Sequence, residues 1–283
     1  FKGRVSFLKA MQSTVEKEFV GEKNIGSLNH FIVDPVQMSK FQTKAYMKAL
    51  ELDRTGGAGV YLNARQASLF VFPDGSYGGN LESKSKENGF GKWVKYKKTS
   101  RTFIASKVGG AKKSQDLYRF ELSKEMIKLI KGKNNKETLR NVRKYSVKYA
   151  TVIERILNAE NQSCFVYCEF VTGSGAIVFA QLLNLFGFSS ATGTQGNSEA
   201  LRYGLLTNRT STPKQISQII NCFNQPQNKH GKIIKVIIGS RLVSEGVSFY
   251  NVQQEFILTP WFNYSEIDQA IARGYRLGSH KVL

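Results

Sequence analysis

Two arginines near the end of this chain are spaced to act together on one anion. Arg273 and Arg276 are three residues apart, so on a helix they share a face, and Gln269, four before Arg273, lies on nearly the same face. Guanidinium groups presented in this way suit a phosphoryl group in transfer. Negative charge is then spread over several oxygens, and an arginine finger placed there raises the rate by orders of magnitude. A helix with two arginines can equally be a solvated basic end, so its neighbours decide what weight it carries.

Upstream, Ile233 to Gly239 is a β-branched run that reads as a buried strand. It leads into Ser240-Arg-Leu-Val-Ser244-Glu245-Gly246-Val-Ser248-Phe249. A hydroxyl at the end of such a strand can hydrogen-bond a phosphate oxygen without reading base sequence. Ser244-Glu-Gly alone would be an ordinary turn.

The elements that must position these residues alternate. Strands are predicted over Ser163 to Phe170, Leu201 to Leu206, Ile233 to Gly239 and Glu255 to Thr259. Helices are predicted over Ala176 to Phe186, Pro213 to Phe223 with Thr212 as cap, and Tyr264 to Gly274. That alternation indicates a parallel α/β sheet. Before it, helices are expected over Met38 to Leu52 with Ser39 as cap, Ser123 to Ile130, and Lys136 to Leu157 with a break near Lys144. Gly79 to Lys113 is polar and basic, and reads as a long loop or irregular insertion.

The chain has 283 residues, with 41 Lys and Arg against 21 Asp and Glu, a net charge of +20. The excess is concentrated: Gly79 to Ala150 holds 20 basic and 6 acidic residues. Phe90, Trp93, Tyr96, Phe103, Tyr118 and Phe120 interleave with these charges, among them Lys95, Lys97 and Lys98. A polyanionic partner, nucleic acid, fits this balance, and its binding would be steeply salt-dependent. A merely solubilising surface is the alternative. Cys164, Cys168 and Cys222 read as buried, reduced thiols in a reducing compartment, and with three scattered His no zinc site is expected. No apolar run approaches the roughly eighteen residues of a membrane-spanning helix, so no membrane partner is expected. No charged-then-apolar leader is visible, and the chain reads as a piece of a longer protein.

Gln269-x-x-Ala272-Arg273-x-x-Arg276 resembles motif VI of the superfamily 2 helicases, with Ala272 where glycine is usual. Ser240 to Phe249 resembles their motif V, and Ser163 to Phe170 with the following helix resembles motif IV. Tyr203-Gly-Leu-Leu-Thr207-Asn-Arg209-Thr210 looks like the next segment, where a strand delivers a threonine to the phosphates of a bound strand. Phe223-Asn224-Gln-Pro226-Gln-Asn228, Pro260-Trp261-Phe262-Asn263 and Arg276-Leu-Gly-Ser279-His280 narrow the likeness. It is to nucleoside triphosphatase I and related helicases of large cytoplasmic DNA viruses (poxvirus, asfarvirus and mimivirus types), relatives of the Swi/Snf-type translocases. Phe1 to Phe7 looks like the exit from a first lobe in those proteins, and Met38 to Tyr46 like the start of a second.

The resemblance implies a RecA-like lobe over 148–283, a helical segment with a basic insertion over 41–147, and a first-lobe exit and linker over 1–40. It implies ATP-dependent translocation or unwinding in viral transcription or replication, with Arg273 and Arg276 as fingers. Gln269, Glu245 and Gly246 would lie at the nucleotide. Ser240, Thr207 and Arg209 would hold nucleic acid, with DNA favoured over RNA; Lys95, Lys97 and Lys98 join them on the strength of the basic stretch, which has no match in those proteins. It further implies a first RecA-like lobe as partner, viral RNA polymerase as a candidate partner, and a location in the virion and host cytoplasm. No G-x-x-x-x-G-K-[ST] occurs; Gly91-Lys92 has Lys86 where the first glycine belongs and Trp93 where the hydroxyl belongs. ATP and Mg²⁺ would therefore be bound mainly by the other lobe, and this piece alone is expected to be inactive.

Two rivals stand beside that expectation. One is a non-catalytic nucleic-acid-binding subunit of a viral transcription complex with a degenerate motor lobe. The other is an α/β nucleotide-binding or methyl-transfer enzyme, whose phosphate loop would have to be Thr172-Gly-Ser-Gly175.

Overall fold

Ser39 places its hydroxyl where Gln42 N–H can donate to it at 3.0 Å, and helix α1 (Lys40–Arg54) begins there. The computed structural model describes residues 35–56, 59–79, 89–105, 112–191, 201–240, 247–260, 269 and 271–274. The fully buried Gln42 then ties three elements together. Its Nε2 donates to the carbonyls of Ala67 and Ser68 in α2 (Leu62–Leu69), and its Oε1 accepts from Val147 N–H at 3.1 Å. The short helix α3 (Phe90–Trp93) leads into a long antiparallel hairpin, β1 (Val94–Ala105) and β2 (Lys112–Leu122), followed by α4 (Lys124–Ile130). The hairpin runs in register from Val94 opposite Leu122 to Ala105 opposite Lys112, with an irregularity between Lys98 and Ser100.

This hairpin corrects the expectation of an irregular loop over Gly79 to Lys113. Lysines crowd the run from Lys95 to Arg101, so the apolar alternation that marks a half-buried strand is thin there. Pairing with Lys112 to Leu122 supplies the order instead. The break expected near Lys144 falls at Ser146. That residue closes α5 (Asn135–Tyr145) and caps α6 (Val147–Asn158), accepting from Tyr149 N–H at 3.0 Å and donating to the Leu69 carbonyl.

The main sheet contains β3 (Ser163–Tyr167), β4 (Ser189–Ser190), β5 (Arg202–Leu206), β6 (Val236–Gly239) and β7 (Val252–Ile257). All pairings are parallel, in the order β4-β5-β6-β3-β7. A parallel sheet is covered on both faces, and its strands alternate between two cores accordingly. Cys164, Val166, Tyr203, Leu205, Val236 and Ile238 face the core that holds α6 and α7 (Ala176–Asn184). Phe165, Leu206 and Ile237 face the other, with Ile219 and Phe223 of α8 (Pro213–Phe223). Gly204 lets α8 approach, since a Cβ there would sit 2.5 Å from the Ile219 side chain. The α8 boundary follows from its capping box of Thr212 and Gln215 with Pro213 at the first position. This is the expected RecA-like α/β architecture. Among the described residues no helix is long and apolar enough to cross a membrane.

Candidate nucleotide and nucleic-acid interface

In a parallel sheet the carboxyl ends of all strands open on one edge, where ligands usually bind. Leu206 pairs with Gly239, so the residues that follow, Thr207 and Ser240, leave neighbouring strands side by side. Both are buried against the strand ends, each 4 % exposed. Thr207 organises the turn after β5: its hydroxyl accepts from Arg209 N–H at 3.2 Å and its carbonyl from Thr210 N–H at 3.2 Å. The half-buried Arg209 in turn accepts, through its carbonyl, the N–H of Tyr118 on β2 at 2.8 Å. Lys95, Lys97 and Lys98 lie exposed on the neighbouring strand β1. Thr207 and Ser240 thus end neighbouring strands, and the Arg209 carbonyl ties the turn after β5 to the hairpin that carries the three lysines.

Arg273 forms a second group. It is only 7 % exposed, and its Nη1 donates to the Val247 carbonyl at 3.3 Å. Its own carbonyl accepts from Phe249 N–H at 2.9 Å. The arginine turn is therefore docked on the exit of the segment that contains Glu245 and Gly246. Gln269 is helical and exposed. Glu245, Gly246 and Arg276 lie outside the described residues, as does most of the helix predicted over Tyr264 to Gly274.

The residues that hold this docking surface were not identifiable by type. Phe249 is fully buried between Phe165, at 4.9 Å between ring centroids, and Phe223, at 5.9 Å. Asn224 closes α8 and clamps the same segment, donating to the Ser248 carbonyl and accepting from Tyr250 N–H, both at 2.9 Å. Only the Phe-Asn pair ahead of Pro226 hinted at this in the sequence. Gly274 is needed for close approach: a Cβ there would lie 1.8 Å from Oε1 of Glu255 on β7. Burial pushes the Glu255 carboxyl up to about 8, against the opposing pull of a hydrogen bond from Gly274 N–H.

The glycine-containing turn Thr172–Gly175 is already filled by protein. Ser174 N–H donates to Gln66 Oε1 at 2.9 Å, and Ser174 Oγ donates to the Phe70 carbonyl at 2.6 Å. The N–H groups of Gly175 and Ala176 donate to the carbonyls of Thr172 and Phe170. Donors spent within the fold cannot cradle a phosphate, which removes the structural basis of the methyl-transfer alternative. The three cysteines are buried and outside any disulfide, and burial raises the thiols of Cys164 and Cys168 to about 12, far from a reactive thiolate.

Residues 147–278 match the helicase conserved C-terminal domain. A protein named as a helicase in Invertebrate iridescent virus 3 is 40% identical over 99% of this chain, which covers 25% of that relative. A protein named as an ATP-dependent RNA helicase in Heliothis virescens ascovirus 3e is 29% identical over 99% of the chain and 27% of its own length. Nucleoside triphosphatase I of Choristoneura fumiferana entomopoxvirus is 29% identical over 87% of the chain and 35% of its own length. The chain spans about a quarter of the length of the relatives it matches end to end. Residues 147–278 thus match the helicase conserved C-terminal domain and fold as a RecA-like α/β lobe, and the chain as a whole is similar to proteins named as helicases in large DNA viruses.

Proposed function

We propose that this chain supplies the second, C-terminal RecA-like lobe of an ATP-dependent nucleic-acid translocase or helicase, acting in viral transcription or replication. The observation that carries the reading is the docking of Arg273 on Val247 and Phe249, which joins the arginine turn to the segment of Glu245 and Gly246. Arg273 and Arg276 stabilise charge on the transferring phosphoryl group. Glu245 and Gly246 approach the nucleotide, and Gln269 couples its state to the grip on nucleic acid. Ser240, Thr207, Arg209, Lys95, Lys97 and Lys98 hold backbone phosphates. ATP with Mg²⁺ supplies the reactive phosphoryl group when bound, mainly on a first RecA-like lobe carrying the P-loop. The buried, oriented Arg273 fits the cationic half of such a site. The partners are that lobe, nucleic acid with DNA favoured, and viral RNA polymerase, in the virion and host cytoplasm.

The test is Arg276→Ala in the full-length protein. Nucleic-acid-stimulated ATP hydrolysis should fall by about three orders of magnitude, while binding persists. Turnover at the wild-type rate would refute the assignment. If the wild-type full-length protein shows no stimulated hydrolysis, the non-catalytic subunit is favoured instead. The ascovirus relative's name favours a second reading, RNA as substrate, so stimulation by DNA and RNA of equal length should be compared.

A further inference from the structure

We infer that Asn224 is a positioning residue for the arginine turn, acting on ATP hydrolysis through the segment from Val247 to Tyr250. The inference rests on the proposed role of Arg273 and names what sets that residue in place. The backbone polar groups of this segment alternate as in an extended strand, so its two edges meet different partners. On one edge the Val247 carbonyl accepts from Arg273 Nη1 at 3.3 Å, and Phe249 N–H donates to the Arg273 carbonyl at 2.9 Å. On the other edge the Ser248 carbonyl accepts from Asn224 Nδ2, and Tyr250 N–H donates to Asn224 Oδ1, both at 2.9 Å. Asn224 and Arg273 therefore grip opposite edges of the same short segment.

The Asn224 side of this grip is anchored in the lobe. Asn224 N–H donates to the Ile220 carbonyl at 2.9 Å, at the C-terminal end of α8. The preceding Phe223 is buried, its ring against Phe249, and α8 lies close over Gly204. The short amide presents a donor and an acceptor in one plane, as a carbonyl and an N–H two residues apart require. Aspartate keeps the acceptor and loses the donor; alanine loses both. A misplacement of about 1 Å can cost about a hundredfold in rate. Slack in the segment should therefore reach Arg273 as lost transition-state stabilisation rather than as weaker ground-state binding.

The test is steady-state ATP hydrolysis by the full-length protein with whichever DNA or RNA oligonucleotide stimulates the wild type. Binding of that oligonucleotide and the thermal midpoint are measured alongside. Asn224→Ala and Asn224→Asp should each lower kcat about tenfold, with KM for ATP and Kd for the oligonucleotide within about twofold of wild type. Ile219→Val thins the packing of α8 on Gly204 and keeps both Asn224 bonds. It should lower the thermal midpoint and leave kcat unchanged. Three results would each overturn the inference: wild-type kcat in either Asn224 variant, a rise in KM or Kd alone, or an equal loss of kcat in Ile219→Val. A wild-type protein without stimulated hydrolysis would instead overturn the motor reading on which the inference rests.

Discussion

Glu255 offers a sharp test of how the arginine turn is held. Its carboxyl is partly buried on β7 against Gly274, the residue after Arg273. Burial raises its pKa from 4.5 to about 8, so the folded protein keeps a proton that the unfolded chain releases. The sign follows from linkage. Wherever the folded state binds more protons, stability falls as pH rises, here across the window from 4.5 to 8. At up to about 1.4 kcal/mol per pH unit, the loss between pH 5 and pH 7 approaches about 2.5 kcal/mol. Glu255→Gln removes the titration and retains an oxygen that can accept from Gly274 N–H. Urea denaturation followed by far-ultraviolet circular dichroism should show the variant gaining on wild type by about that amount over this interval. Other titrating groups cancel in the difference. A wild-type-to-variant gap that stays constant from pH 5 to pH 8 would show that the carboxyl is not held in its neutral form, and the account of this contact would fail.

Two further outcomes follow from buried contacts. Asn228 uses all of its amide: Nδ2 donates to the carbonyls of Phe223 and Ile234, and Oδ1 accepts from the N–H groups of Ile233 and Ile234. Asn228→Asp turns two donors into an anion facing two carbonyls and should cost about 3 kcal/mol at neutral pH, measured by urea denaturation. Gly274→Ala should cost about 1–3 kcal/mol through overpacking against Glu255. Most of that cost should disappear in a Glu255→Ala background, and strict additivity of the two changes would count against the contact.

Much of the lobe was legible because its signals are local. Thr212-Pro213 set the start of α8, Ser39 that of α1, a short apolar run marked β3 and a β-branched run marked β6. The hairpin was not legible, because its order comes from pairing between strands rather than from apolar alternation within Lys95 to Arg101. In the candidate site, Thr207 and Ser240 were readable as polar residues ending buried strands. Asn224 was not, because its partners Ser248 and Tyr250 lie 24 and 26 residues away and nothing near it in sequence signals the clamp. The inward turn of Arg273 was equally hidden: its spacing to Arg276 gives a shared helix face, while the Val247 carbonyl that holds it arrives from another element.

The hairpin foot has a mechanical consequence. Trp93, Val94, Phe120 and Leu122 belong to the same core as Ile177 and Phe179 of α7 and Val166 of β3. The arm therefore has no separate hinge at its base. A load applied along it passes through α7 into the strands, so the arm works as a lever fixed to the sheet. For the same reason it cannot be trimmed away like a surface ornament. Cutting back to Val94 would remove Phe120 from against Phe90 and trade a basic arm for a sticky apolar face.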